Sequence, residues 1–317
     1  MRHARQRGIA LLVAIVIFAI AATVAAAITY NKAMAARRAA ATFALEQALQ
    51  AGMAAEALAG IVLNNASSQR TQTNQDWAQP VGPLEIEGTG VWIQAQLEDL
   101  QGRFNLNSVV AWNQQLNEFD IDQHQYEIFQ RLLQDNNIDL RYADLLVDWI
   151  DPDINPRTQG GEDTLYLSQD PPYRPPNTFI THTSELLALP GLGAENFAKI
   201  APYVTALPVD VKVNLCTASG VVLDATRNDP QNRTEYALQD LAQAREKECF
   251  PQISVFQAGT DPNVWPAVQD RVSETSSYFR LRTHIRVGTA EFVLYSVLNR
   301  ESGTNLVRTI QRSFGSE

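Results

Sequence analysis

The sequence predicts an α+β chain in which one very long N-terminal helix and an antiparallel sheet accompany a large all-α insertion. Three observations predict it: an apolar, Ala-rich front end without breakers, period-two strands at both ends of the remaining chain, and helical periodicity between them. The 317 residues carry 25 Lys+Arg against 35 Asp+Glu, a net charge of −10, with 45% hydrophobic residues, 16 Gly and 15 Pro. That balance excludes collagen-like, low-complexity and wholly disordered classes. Its sign argues against nucleic-acid binding as the main task, since phosphate neutralisation needs clustered Lys and Arg.

Residues 9–28, IALLVAIVIFAIAATVAAAI, are apolar except for Thr23. At about 1.5 Å per residue they reach roughly 30 Å, the thickness of a bilayer core, so the segment can span a membrane once. Arg2, Arg5 and Arg7 precede it and Lys32, Arg37 and Arg38 follow, so basic residues alone do not orient it. The short N-terminal side decides, placing the acidic bulk on the translocated side. A cleaved signal peptide is the competing reading, with Ala25-Ala26-Ala27 as its small-residue site. The apolar run exceeds the h-region of about 7 to 15 residues, and helix-forming sequence continues through residues 33–63 with no Pro before Pro80.

Residues 64–83 are polar and turn-forming and read as a loop. Val91, Ile93, Ala95 and Leu97 then alternate with polar neighbours as a half-buried strand. Residues 278–287 alternate likewise, with Gly288 at the turn and Phe292 to Leu298 as the return strand. Residues 122–150, 183–206 and 235–248 read as helices.

The sharpest chemical signal is the run from Asp148 to Asp163. Asp151, Asp153, Asn155 and Glu162 occupy positions 1, 3, 5 and 12 of an EF-hand loop, and Asp163 follows, all hard oxygen donors of the kind Ca²⁺ takes. Pro156 stands where that loop needs Gly, and no second helix is evident, so a true EF-hand is not expected. The competing reading is a solvated acidic turn capping the 140–150 helix. Cys216 and Cys249 are expected to form a disulfide rather than a metal site, which needs further ligands at short spacing. Trp112, Trp149 and Tyr166 are expected in the core, and His182, among Thr181, Thr183 and Ser184, in a helix N-cap. Neither an H-E-x-x-H nor a G-x-S-x-G pattern occurs, so no enzyme is expected.

A basic leader ending in Gly8, with Ile9 opening a long helix, resembles the class III signal of type IV pilins and pseudopilins. The family's fifth mature residue is usually Glu; here it is Val13. That departure, with LEDLQGRFNLN (97–107), ADLLVDWIDPD (143–153), GGEDTLY (160–166), SELLALPGLG (184–193), VKVNLCTASGVVL (211–223) and the strands of 276–300, resembles the K-type minor pseudopilins of the type II secretion system over nearly the whole chain. The resemblance implies a pilin-like α+β fold: a leader over 1–8, a transmembrane and amphipathic helix over 9–65, a pilin-like α/β domain over 66–110 and 271–317, and an inserted α-helical domain over 111–270 with a helix-hairpin-helix, SAM-like segment. It implies cleavage between Gly8 and Ile9 by prepilin peptidase, N-methylation, and single-pass residence in the inner membrane with the bulk in the periplasm. A place at the pseudopilus tip follows, where the chain would start assembly and support export of folded proteins. The partners implied are the I-, J- and H-type minor pseudopilins, the major pseudopilin and the assembly platform. It also implies structural Ca²⁺ at Asp151, Asp153, Asn155, Glu162 and Asp163. The hairpin Leu189-Pro190-Gly191-Leu192-Gly193 carries the alternative, a membrane-anchored DNA-binding or DNA-uptake protein. With Glu195 beside it and Lys199 as its nearby cation, packing is the expected use and nucleic acid is not.

Overall fold

The computed structural model describes residues 7–66, 69–113, 118–227, 238–301, 303–304 and 306–315. Helix α1 runs Arg7–Asn65 without a break. Its 59 residues, at about 1.5 Å each, make a rod of roughly 90 Å. Residues 9–28 touch nothing: Phe18 is 75% exposed, and Ile9 to Ile28 present apolar side chains on every side. Thr23 and Thr29 turn their hydroxyls back onto the carbonyls of Ile20 and Ala25, each at 2.8 Å, which hides the polar atoms this stretch carries. This half is compatible with a single-pass membrane anchor. Gly8 and Ile9 lie in its first turn; the leader residues 1–6 fall outside the described residues.

The second half of α1 lies on a five-stranded antiparallel sheet: β1 Val81–Ile86, β2 Val91–Asp99, β3 Tyr278–Val287, β4 Ala290–Arg300 and β5 Val307–Phe314, in that spatial order. Small residues let the helix settle closely. Ala48, Ala51, Gly52, Ala55 and Ala59 face the sheet, and a Cβ on Gly52 would lie 2.4 Å from Leu294 Cδ2. Between them Glu56, buried, accepts Ser296 Oγ at 2.6 Å, Thr309 Oγ1 at 2.9 Å and Arg312 Nε at 2.7 Å. Burial pushes the Glu56 carboxyl up, but these bonds, the Arg312 guanidinium foremost, outweigh it and hold it below its usual range.

The remaining α-helices all leave the sheet between β2 and β3. Helices α2 Gln123–Asp135, α3 Arg141–Ile150, α4 Asp163–Leu167 and α5 Gly193–Ile200 surround one core that includes Phe104, Phe129, Leu146, Tyr166 and Ile200. Helices α6 Gly220–Arg227, α7 Leu238–Arg245, α8 Ile253–Ala258 and α9 Trp265–Val268 surround a smaller one built on Leu215, Leu223 and Phe256. The smaller core carries the expected disulfide, Cys216–Cys249. The helix expected over 122–150 is two helices, because Asn137 sits at φ 53, where Asn bears the left-handed conformation that ends α2. The segment 183–206 likewise divides into a 3-10 turn Thr183–Ala188, α5 and a short strand Val204–Thr205. The first part of the helix expected over 235–248 lies outside the described residues; α7 is the rest.

The junction is nailed by two polar residues at the end of β2. Asp99, 6% exposed, accepts Asn214 Nδ2 (2.9 Å), Thr217 Oγ1 (2.6 Å) and Ser276 Oγ (2.6 Å) on Oδ2, and the Gln101 N–H (2.9 Å) on Oδ1. Gln101 Oε1 accepts the N–H groups of Ser277 (2.6 Å) and Tyr278 (3.2 Å), and its amide donates to the Lys212 carbonyl (2.9 Å). Burial raises the Asp99 carboxyl, and the hydrogen bonds oppose that rise only in part.

Two outcomes follow for a thermal melt of the folded head. Asp99→Asn turns a donor toward Ser276, Thr217 and Asn214 and is expected to cost about 2 kcal/mol, the scale of unsatisfied buried partners. Gly52→Val pushes α1 off Leu294 and is expected to cost about 1 to 3 kcal/mol. Melts unchanged from the wild type would contradict both assignments.

Candidate metal centre

Helix α3 positions the acidic loop. Asp144 and Asp148, one turn apart, share a face of it and are buried. They grip the loop by alternate amides: Asp148 accepts the N–H groups of Arg157 (3.0 Å) and Gly161 (2.7 Å), and Asp144 accepts that of Gln159 (3.1 Å). Asp144 also accepts Tyr126 OH (2.6 Å) and Arg157 Nε (3.0 Å), which hold it below the usual range against its burial. Gly160 passes so close that a Cβ there would lie 2.0 Å from Asp148 Oδ2. Asp148 keeps a carboxyl raised to about 6, mainly by burial.

With the loop held this way, one carboxylate oxygen from each of Asp151, Asp153 and Glu162 comes within 4.8 Å of the others. Asp151 is pushed up to about 7, by burial first and then by Asp153 and Asp148. Glu162 is likewise raised to about 7, by burial and then by Asp148, Asp151, Asp153 and Asp163. Glu162 is only 7% exposed, and its Oε1 and Asp151 Oδ1 are buried with no hydrogen-bond partner among the described residues. Bare buried carboxylate oxygens facing one another are what a divalent cation relieves, so this donor set fits Ca²⁺.

The other two expected ligands stand differently. Asp163, in the first turn of α4, pairs its Oδ2 with Arg174 Nη1 at 2.9 Å and is not in the group. Asn155 is exposed; its N–H donates to Asp153 Oδ1 at 2.6 Å, so it shapes the turn through its backbone. Sequence reasoning missed Asn177, whose Nδ2 donates to the Asp153 carbonyl at 3.0 Å. It also missed the short helix α4 that follows Glu162.

Aromatic side chains back the site. Trp149 and Tyr166 are buried, with ring centroids 5.2 Å apart, and Tyr173 completes the cluster at 5.4 Å from Tyr166. Trp112 is not core: it is 51% exposed on a two-stranded ribbon, where its ring rests edge-on against Phe119. His182 is the expected cap, its Nδ1 accepting the Ser184 N–H at 3.2 Å while Glu185 reaches back to the His182 N–H. In the hairpin, Leu186, Leu189 and Leu192 enter the main core. Lys199 pairs with Glu195 at 2.8 Å, and Arg141, a second nearby cation, donates to the Pro190 carbonyl at 2.8 Å. Those contacts use the hairpin for packing.

A family model described as "Type II secretion system (T2SS), protein K" matches residues 102–209, which contain the acidic loop and the hairpin. Type II secretion system protein K of Pectobacterium carotovorum subsp. carotovorum is 30% identical, over 99% of this chain and 98% of that protein. The protein of that name from Klebsiella pneumoniae is also 30% identical over 99% and 98%. Among solved structures, a chain of the GspK-GspI-GspJ complex of enterotoxigenic Escherichia coli superposes with a TM-score of 0.75 at 24% identity, covering 88% of this chain and all of that one, and shows the same fold. Full-length likeness to these relatives joins the long helix, the interrupted sheet and the acidic loop in one assignment: the chain belongs to the type II secretion system protein K family.

Proposed function

We propose that the chain is a non-enzymatic minor pseudopilin that sits at the tip of the type II secretion pseudopilus and starts its assembly with the I-, J- and H-type minor pseudopilins. In this reading prepilin peptidase cuts between Gly8 and Ile9, the new N-terminus is methylated, and α1 holds the chain in the inner membrane with its head in the periplasm until the assembly platform extracts it. The carrying observation is where the insertion stands. Ala48 and Ala51 of α1 meet Val91, Ile285 and Leu294, whereas Leu63, at the helix's far end, meets Leu97, Phe279 and Leu298. The insertion leaves the sheet at Asp99 and returns at Tyr278, beside that far end and away from the apolar half. A body so placed occupies the space that a subunit stacked above would need, while leaving α1 free to bundle with major-pseudopilin helices below. Val13 agrees with this: a tip subunit has no neighbour above whose N-terminal amine a Glu would meet. The Ala-rich helix suits close packing in lipid, where burial of apolar surface supplies little. Relatives named for type II secretion, and a structural neighbour complexed with GspI and GspJ, support the same reading.

Calcium is the second part of the proposal. Asp151, Asp153 and Glu162 would hold it, and the ion would supply the positive charge that lets these carboxyls ionise together, fixing the loop.

Three measurements test this. The head, beginning near residue 30, is expected to co-purify as one complex with I- and J-type partners; a stable monomer indifferent to both contradicts the tip role. Mass spectrometry of the native chain is expected to find methylated Ile9 first; a start near residue 28 contradicts permanent anchorage. For the ion, the sign follows from the raised carboxyls. Asp151 and Glu162, both about 7 against ordinary values of 3.8 and 4.5, keep protons in the folded state that the unfolded state has released. In chelator, therefore, stability falls as pH rises from about 4 to about 7. Calcium at about a hundred times its Kd is expected to add about 2.7 kcal/mol at neutral pH. Melts insensitive to chelator would contradict a structural ion.

A further inference from the structure

The two faces of the five-stranded sheet are differently used. On one, Phe279, Leu281, Ile285, Leu294 and Leu298 are buried toward α1. Alternate residues point the other way. Along β3 these are Arg280, Arg282, His284 and Arg286, four basic positions in succession on a chain of net charge −10. An antiparallel sheet commonly leaves one face to water, but such a face is steadied by opposite charges set across from one another. The first position follows that rule: Arg280 pairs with Glu98, which also pairs with Arg103 where the insertion begins. Below it the row is open. Arg282 stands between Gln96 and Tyr295, and His284 between Gln94 and Val293, so neither has an anion across from it on either neighbouring strand. Arg286, between Trp92 and Glu291, lays its guanidinium over the Trp92 ring, 5.3 Å from its centroid. Arg282, His284 and Arg286 are all exposed. A groove of about 410 Å³ crosses this end of the face, and its lining includes Trp92, Gln94, His284, Arg286, Glu291 and Val293.

We propose that this open face docks an acidic helix of a protein outside the filament, with Arg282 and Tyr295 at the centre of the contact. The outward placement rests on the tip reading above: α1 bundles at the filament's core, so the face opposite α1 looks away from it. Charge selects the sign of the partner, and spacing selects its form. Successive outward positions of β3 lie about 6.8 Å apart. Residues four apart on a helix rise about 6 Å, so carboxylates along one helical face stay in step with Arg282, His284 and Arg286. An extended strand would match the spacing too, but laid on a sheet face it would leave its own N–H and C=O groups unpaired, whereas a helix satisfies them internally. Trp92, Val293 and Tyr295, each half-buried, supply apolar surface between the charges, and arginine beside aromatic rings is the composition that anchors protein contacts.

Fluorescence anisotropy tests this with a labelled peptide of about twenty residues, long enough to hold a helix, carrying Glu at every fourth position on an Ala-rich frame. The full chain in nanodiscs of zwitterionic lipid is expected to bind it, and to bind it more weakly as salt rises past about 0.15 M, where the screening length is about 8 Å. Arg282→Glu combined with Arg286→Glu is expected to weaken binding on the order of tenfold or more. That variant is expected to keep the wild-type melt and still co-purify with I- and J-type partners. Arg282→Gln combined with Arg286→Gln, with charge removed and not reversed, is expected to fall between it and the wild type. A wild-type chain indifferent to the Glu peptide, or binding untouched by the reversal, would overturn the proposal. Tighter binding of polygalacturonate, lost in the same variant, would overturn it in favour of an acidic polysaccharide. A wild-type chain that binds the peptide but joins neither I- nor J-type partner contradicts the tip reading alone.

Discussion

The fold depends on one buried carboxylate. Asp99 ends β2 at the point where the chain abandons the sheet, and it collects hydrogen bonds from Asn214, Thr217 and Ser276, which arrive long afterward in sequence. Lengthening a loop between two strands costs little, because closure entropy grows only as the logarithm of length. What a large insertion threatens is register, since a one-residue slip of β3 against β2 would turn Phe279, Leu281 and Ile285 outward. Asp99 and Gln101 remove that freedom. They hold Ser276, Ser277 and the first residue of β3, Tyr278, so the strand enters the sheet already in phase. Asn214 Nδ2 also reaches the Thr71 carbonyl at 2.9 Å, which ties the loop between α1 and β1 into the same knot.

The acidic loop obeys a related rule with the opposite residue left over. Four of its neighbouring carboxylates are accounted for by protein: Asp144 and Asp148 take backbone amides, Asp163 takes Arg174, and Asp153 takes the Asn155 N–H. Asp151 and Glu162 are the remainder, buried, raised and bare at one oxygen each. Repulsion between them is tolerable only when protons or a cation compensate it.

Strands that bury one face were plain in the sequence, because a period of two writes burial directly: the alternation over 91–97 and 278–287 matches the pattern in β2 and β3. The loop expected over 64–83 runs into β1, whose residues are mostly exposed and include Gly82 and Pro83, so no apolar alternation marks the strand. β5 passed unremarked for a similar reason, its Val307, Thr309 and Gln311 being only half covered at a sheet edge. The acidic run announced its chemistry but not its division of labour. Spacing put Asn155 and Asp163 beside Asp151, whereas the chain turns Asn155 to solvent and Asp163 to Arg174. Asn177 could not be found by spacing at all, because a separate segment carries it back to Asp153.

The head divides its stabilisation in a way that bears on where it folds. The sheet and α1 close on two apolar clusters, and buried Glu56 of α1 pairs with the partly exposed Arg312 of β5. The insertion instead has two separate cores, and each carries a device of its own. The smaller is stapled by Cys216–Cys249, with Arg245 buried beside it and donating to the carbonyls of Leu215, Ala218 and Phe250. A cross-link closing a separation of 33 residues contributes about 3 to 4 kcal/mol in the chain-entropy model, a large share for a core of that size. The larger core has the acidic loop at its rim. A disulfide persists where thiols are oxidised, which is outside the cytoplasm in most cells. Under the periplasmic placement proposed above, the smaller core would therefore reach its full stability only once the head has met an oxidising compartment, before it assembles.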